Sequence, residues 1–508
     1  MKYLLKTIEY GLYLLVFLLP LQTRWVIKAG ELNNGSWEYG TYSLYGTDIL
    51  LVSVLLLFVI YRFFDFFNGK FPPFACASED KPMTNDKNGQ ETGRDKMVCL
   101  FICGLVIASA VSAWFAPNKF LALYKLGWLI LGVGLFWLIQ SADYKKSKLI
   151  FSMLTGIFLS ACLGIWQFLY QATFANKWLG LALHRGADLG ASVIEAVGAA
   201  GVGERWLRAY GSLDYPNMLG GMIVVVILLL IGQIIVRERI DNFQFLIFNF
   251  QIIFNDKIFK FINWFLVLAL TAGLFFSFSR SAWLALAVGL AVMVALAIWQ
   301  KNLKSQKNLA QIILAMAILV LVLFSQHQNL ITARLNGQGR LEIKSTAERL
   351  ESYQESWQII KSNWLGGAGL GNYTLVLNQK LPDRPSYFYQ PAHNLFLLAL
   401  SEIGIFGLLF FVALLFVIAR GSVSGRQENE NKGSLDCSSV LTSAQKNKTG
   451  CLRGNDKDKR ALHRNGQAAI LAALIVLMFF DHWLWDLHFG VLFFWLIIGL
   501  VCRKSSAE

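Results

Sequence analysis

Apolar runs of bilayer length recur along the chain, near residues 5–22, 48–67, 97–116, 120–141, 149–170, 215–236, 261–278, 281–299, 309–325, 393–419, 467–484 and 488–502. Crossing the hydrocarbon core takes about 20 predominantly apolar residues. The pattern therefore predicts an all-α, polytopic integral membrane protein with about twelve transmembrane helices. N-terminal transmembrane helices occupy 1–170, and a transmembrane core with an outer loop at 171–214 occupies 171–324. A partly helical extracytoplasmic loop domain follows at 325–392, before the tenth helix, and C-terminal transmembrane helices with a cytoplasmic linker at 420–466 fill 393–508.

The N-terminus, "MKYLLKTIEYGLYLLVFLLPLQTRW", pairs a charged start with an apolar run but lacks a small-residue cleavage site, so it reads as a first transmembrane helix and not as a signal peptide. The short loops "ADYKKSK" and "KNLKSQK" are strongly basic. Basic short loops mark the cytoplasmic side, which places both termini inside. The apolar stretch from Phe243 to Phe254 reads as interfacial or re-entrant; were it to cross, everything downstream would invert. The loops near 68–96 and 420–466 are rich in Lys, Asn, Ser and Gly and poor in aromatics, and read as solvated linkers.

Within the second outer segment, "STAERLESYQESWQIIKSNW" places Glu348 three residues after Ser345, a capping-box spacing. Leu350, Tyr353, Trp357 and Ile360 then repeat at helical steps, predicting an amphipathic helix against the membrane mouth.

Composition agrees with the pattern: of 508 residues, 56% are hydrophobic and 15% charged, too greasy for a soluble domain of this length. A formal charge of +14 would point to nucleic acid in a soluble protein. Here the basic residues lie mostly in the cytoplasmic loops, and no nucleic-acid partner is implied. The seven cysteines, Cys76, Cys99, Cys103, Cys162, Cys437, Cys451 and Cys502, all fall in membrane or cytoplasmic segments, so no outer disulfide is expected.

Four outer features carry candidate chemistry. Arg208 precedes a helix that opens at Pro216–Asn217, and reads either as a snorkelling interface residue or as an anion ligand. Arg280 sits in a tight turn between two apolar runs, where a guanidinium needs water, a carboxylate, a lipid phosphate or an anionic ligand. Gly367, Gly369 and Gly371 alternate in "WLGGAGLGNY", as an anion nest or, more simply, a turn without the Lys and Ser or Thr of a nucleotide loop. His393 stands where the tenth helix enters the membrane, and is either a helix cap or a group able to take a proton from a hydroxyl at neutral pH. Together, two arginines can hold a diphosphate without a metal while a histidine activates an acceptor.

Asp481, His482, Asp486 and His488 crowd the last outer turn without a trusted metal spacing, and read as aromatic interface packing. Glu402, within the tenth helix, is expected to pair with a polar neighbour or to line a cavity.

The segments "YGSLDYPNMLGG", "FSFSRSAWLALAVG", "ERLESYQESWQIIKSNWLGGAGLGNY" and "PAHNLFLLALSEIGIFGLLFF", in this order, resemble the O-antigen ligase and polymerase family of bacterial envelopes. The motif-bearing part runs roughly from Arg208 to Phe411, with His393–Asn394 followed by Glu402, Gly404 and Gly407 as its most specific element. The resemblance implies a glycosyltransferase that needs no cofactor and no metal. It would move a glycan from an undecaprenyl-diphosphate carrier to a glycan, lipid (lipid A core) or protein acceptor, at the outer face of the bacterial cytoplasmic (inner) membrane.

By the same similarity His393 would be the general base or acceptor-orienting group, with Arg208 and Arg280 binding the diphosphate and Arg205 as the alternative to Arg208. Asn217, Asn394, Glu402 and the three glycines would be supporting residues. A polysaccharide polymerase is the alternative within the family, and a lipid or solute transporter or flippase the rival outside it. A transporter should show two related halves and ionisable residues near mid-membrane, and neither is evident in the sequence. The long basic loop at 420–466 is no part of the family pattern and carries no assigned role.

Overall fold

The computed structural model describes residues 1–67, 87–197, 203–236, 244–247, 250–253, 256–336, 340–423 and 464–503. Every apolar run becomes a helix. In chain order these are α1 (Lys2–Leu18), α2 (Gly46–Phe67), α3 (Lys87–Phe115), α4 (Lys119–Ser141), α5 (Lys146–Tyr170), α6 (Pro216–Val236), α7 (Asp256–Ser277), α8 (Arg280–Trp299) and α9 (Leu303–Gln326). Three helices of the outer segment follow, α10 (Gln328–Asn336), α11 (Arg340–Asn363) and α12 (Tyr373–Lys380). The chain returns to the bundle through α13 (Leu395–Val423), α14 (Arg464–Phe480), the single turn α15 (Trp483–Asp486) and α16 (His488–Cys502).

Among the described residues nine helices are long and apolar enough to cross a bilayer, namely α2 to α9 and α13. α1, α14 and α16 are shorter. The fold is thus the all-α polytopic one that the hydropathy predicts. α6 lies at its centre, with 78% of its span buried, whereas only 17% of α9 is covered. Close packing around α6 uses small residues: a Cβ on Gly220 would sit 2.9 Å from the Ala282 methyl of α8.

Among the described residues four antiparallel two-stranded sheets interrupt the helices. β1 (Arg24–Lys28) pairs with β4 (Tyr42–Tyr45), and β2 (Glu31–Leu32) with β3 (Gly35–Ser36), both between α1 and α2. β5 (Val193–Val197) pairs with β6 (Gly203–Leu207) in the 171–214 loop. β7 (Gln244–Ile247) and β8 (Phe250–Ile253) account for the apolar stretch between α6 and α7, which is a hairpin and not a crossing helix.

The loops that the charge pattern assigns to the outer face meet at one end of the bundle. Thr23 Oγ1 donates to the Trp178 carbonyl at 2.6 Å, Asn33 Nδ2 to the Pro382 and Arg384 carbonyls, and Ser212 Oγ to the Pro20 carbonyl at 2.8 Å. At the opposite end, α16 runs out of backbone donors for its last carbonyls; of the final four, Gly499 still accepts one, from the Arg503 amide. Each is met by a side chain: Gln140 to Gly499, Lys146 to Leu500, Gln467 to Val501 and Arg94 to Cys502. Two of these donors are cations, which the negative end of the helix dipole favours. Cys103, Cys162 and Cys502 are free thiols. Cys76, Cys437 and Cys451 fall outside the described residues, as do 68–86 and 424–463 of the two expected linkers, while 87–96 is helical and opens α3.

Candidate functional site

The turn between α7 and α8 organises three arginines. Phe278 adopts φ +47°, a left-handed conformation costly for a bulky side chain, and is fixed by complete burial among Phe168, Phe275 and Trp283. Ser279 caps α8, which makes Arg280 its first residue. The bent backbone turns two carbonyls toward guanidiniums: Arg208 Nε donates to Ser277 O at 2.8 Å, and Arg334 Nε, from α10, to Phe278 O at 3.2 Å. Arg280 Nη2 lies 3.1 Å from Glu342 Oε2, and Arg334 Nη1 pairs with Glu342 Oε1.

Arg280 and Arg334 thus share one carboxylate, with the Arg208 guanidinium close enough to feel all three charges. Burial, then Arg334, weigh against the charge of Arg208, with Arg280 adding to the repulsion. An arginine does not escape by losing its proton. The surplus positive charge, at the N-terminus of α8, is suited to an anion. Arg280 remains about a third exposed and is the most accessible of the three.

A second cluster forms where α13 and α14 meet. Asn394 caps α13 by accepting from the Leu397 amide at 3.1 Å, and its Nδ2 donates to the Phe479 carbonyl at the end of α14. This fixes His393 beside the α14–α15 turn, its ring 5.5 Å from that of His482. Ligand-competent atoms of His393, Asp481 and His482 all lie within 4.8 Å of one another. Burial, then His482, push the His393 imidazole down to about 4, against the opposing pull of Asp481, so it is neutral at pH 7.

Asn217, second residue of α6, joins the two clusters. Its Oδ1 accepts from Arg208 Nη2 at 2.7 Å, and its Nδ2 donates to Asp481 Oδ2 at 3.4 Å. Asp481 Oδ1 accepts from the His482 amide at 2.9 Å. Arg349 on α11 is near enough to act electrostatically on both Arg334 and His393.

The capping-box expectation is corrected. α11 begins at Arg340, so Ser345 and Glu348 lie inside it and form no capping box; Glu342 occupies the first turn instead. The apolar stripe also faces outward. Ile343, Leu350, Trp357 and Trp364, seven residues apart, are 53–61% exposed, while Glu342, Ser352, Glu355 and Ser356 are buried. Of Leu350, Tyr353, Trp357 and Ile360 only Ile360 is buried, with Ile359 beside it.

The glycine loop is a turn, the simpler of its two readings, spliced into α13. Gly404 breaks that helix at φ +67°, and a Cβ there would lie 2.1 Å from the Leu365 carbonyl. Gly367, at φ +77°, would meet the Glu402 carbonyl at the same distance. Ala368 N donates to Ser401 O, Gly369 N to Glu402 O and Ile405 N to Trp364 O, so these amides serve the kink and form no anion nest. Gly371 donates its amide to the Glu402 carboxyl. Glu402 also accepts from Trp485 Nε1 at 3.0 Å, and with Lys125 and Asp486 lines a largely apolar cavity apart from the arginine turn.

Arg205 points elsewhere: its guanidinium donates to the Ala187 and Asp188 carbonyls and faces Glu195 within the β5–β6 loop. The last outer turn is not a simple aromatic belt. Asp481 and His482 join His393, Asp486 pairs with Lys125 at 3.3 Å, and His488 Nε2 meets Asp48 Oδ1 beneath the stacked Tyr45 ring. Sequence reasoning missed Arg334, Glu342 and Arg349, and the only hint was their place in the long outer segment.

Residues 265–412 match the family model described as O-antigen ligase, a range that contains Arg280, Arg334, Glu342 and His393 but not Arg208, Asn217 or Asp481. No curated protein matches the chain.

Proposed function

From a multi-pass membrane chain that carries an O-antigen ligase domain, and so from a ligase- or polymerase-type membrane enzyme, we propose an inverting glycosyltransferase using an undecaprenyl-diphosphate-linked glycan. It works at the outer face of the bacterial cytoplasmic membrane, with both termini inside, and its transfer step needs no metal. The observation that carries this reading is the continuous network from the arginine turn through Asn217 to Asp481 and His393.

The donor diphosphate rests on Arg280 and Arg208, with Arg334 holding the charge balance through Glu342. Preorganised guanidiniums stabilise the charge that develops on a leaving diphosphate. The acceptor hydroxyl lies at His393. Its oxygen bonds to the anomeric carbon, the bond from that carbon to the diphosphate oxygen breaks, the proton passes to the His393 imidazole, and undecaprenyl diphosphate leaves. The neutral state of His393 suits a proton acceptor. Arg208, rather than Arg205, is the donor ligand, since Arg205 is engaged within its own hairpin loop.

The outward apolar stripe of α11 supports lateral approach of a lipid donor. The Trp364 carbonyl at its end accepts from Ile405, about ten residues into α13, so this end sits in the outer leaflet and not above it. The gathering of buried charge at one end of the bundle supports transfer over transport, which would call for ionisable groups near mid-membrane.

The test supplies membranes containing the protein with a lipid-linked repeat unit and resolves the glycans on a gel. Transfer that disappears in His393→Ala, while donor binding persists, is the expected result; a fully active His393→Ala removes the histidine from the mechanism. A ladder of lipid-linked lengths identifies a polymerase, and a single glycoconjugate band on lipid A core or protein identifies a ligase.

A further inference from the structure

The cluster around His393 contains more than one base requires. His482 is 5% exposed, yet its Nδ1 has no hydrogen-bond partner, and neither has Nδ1 of His393. Orphaned buried polar atoms are expensive and call for an explanation. Asp481 brings a carboxylate within 4.8 Å of both imidazoles. It is oriented by two donors, the His482 amide and Asn217.

Two imidazoles and one carboxylate, with a further position left open, form the ligand set of late first-row divalent ions, above all Zn²⁺. The surroundings supply an outer shell as well. His482 Nδ1 lies 3.8 Å from Asp486 Oδ2, an oxygen that also lacks a hydrogen-bond partner. A carboxylate behind a ligating histidine fixes its tautomer and raises its basicity, and leaves Nε2 for the metal.

We propose that His393, Asp481 and His482 bind one Zn²⁺-class divalent ion, and that this ion inhibits the enzyme by taking the imidazole of His393 out of the reaction. The inhibition half rests on the glycosyl-transfer reading above; the binding half does not. An ion held by these side chains occupies the lone pair that would otherwise receive the acceptor proton. Zinc in the surroundings would then slow glycan transfer, and a chelator would restore it.

The test uses the purified full chain in detergent or nanodiscs. Calorimetric titration with ZnCl₂ should give one saturable site per chain, weakened at least tenfold in both His482→Ala and Asp481→Asn. Cobalt(II) provides a second readout, with visible absorption bands of N/O ligation that vanish in the same variants. Transfer by the wild type should fall as Zn²⁺ is added and return with chelator, while the residual transfer of His482→Ala resists the ion. Absence of saturable binding, or binding undiminished in both variants, overturns the site. Binding without inhibition of an active enzyme overturns the regulatory half. A preparation that binds Zn²⁺ in the expected pattern but never transfers glycan counts against the transferase reading and leaves the metal site standing.

Discussion

Asn217 donates to Asp481 at 3.4 Å, and by this contact an arginine held at the α7–α8 turn and a histidine at the head of α13 belong to one network. Asn217→Ala leaves a buried guanidinium and a buried carboxylate each short of a partner. Hydrogen bonds to charged groups are worth about 1.5–3 kcal/mol. Transfer should therefore fall about tenfold to a hundredfold. Initial rates on a lipid-linked donor check this, and a rate within about twofold of wild type would mean that the two clusters work independently.

How far this was legible in the sequence differs by element. The apolar runs were legible because hydrocarbon thickness imposes their length, and the segments that became α2 to α9 and α13 needed no other argument. Arg280 and His393 stood out because each is a costly residue at a helix mouth. Arg334 and Glu342 did not, because a charge inside a polar outer segment looks ordinary until the fold sets it against the carbonyl of Phe278. The types of Asp481 and His482 were noticed, but their partnership with His393 depends on where α14 ends beside α13. The hairpins at 24–45 passed unnoticed because their strands are short and pair only locally.

Glu342 sets the charge balance of the arginine turn. Breaking a buried ion pair by removing one partner costs about 3–5 kcal/mol, and Glu342→Gln leaves Arg334 uncompensated beside Arg208. The variant should melt earlier in detergent, and an added diphosphate lipid should recover more of its melting temperature than of the wild type's. Arg280→Ala should instead keep the fold and lose donor use, with Arg280→Lys intermediate because charge survives but the planar fork does not. Normal transfer by Arg280→Ala would sink the diphosphate clamp.

The kink of α13 is steric. Gly404→Ala adds a methyl 2.1 Å from the Leu365 carbonyl at a φ of +67°. Gly190, at φ +86°, has open space around it, so Gly190→Ala carries backbone strain alone, of about 1 kcal/mol. Gly404→Ala should cost several times as much and lower the yield of folded protein, whereas Gly190→Ala should be mild. Equal melting temperatures for the two variants would mean that the loop at 364–369 yields freely.

The buried underside of α11 carries a pH dependence of its own. Burial, then Glu351, raise the Glu355 carboxyl to about 7, with Arg384 opposing. An acid whose pKa is higher folded than unfolded binds its proton more tightly in the native state, so its contribution to stability is present in full below the unfolded value of about 4.3. That contribution is lost as pH rises through about 7, where the carboxylate must ionise in a poorly solvated place. Glu355→Gln keeps the shape and removes the charge. Its melting temperature should converge on that of the wild type below about pH 4 and exceed it at pH 8.5, by at least on the order of 2 °C. Melting curves that stay parallel across that range would show Glu355 to be solvated, and would argue that the polar face of α11 stands open to water rather than closed over the site.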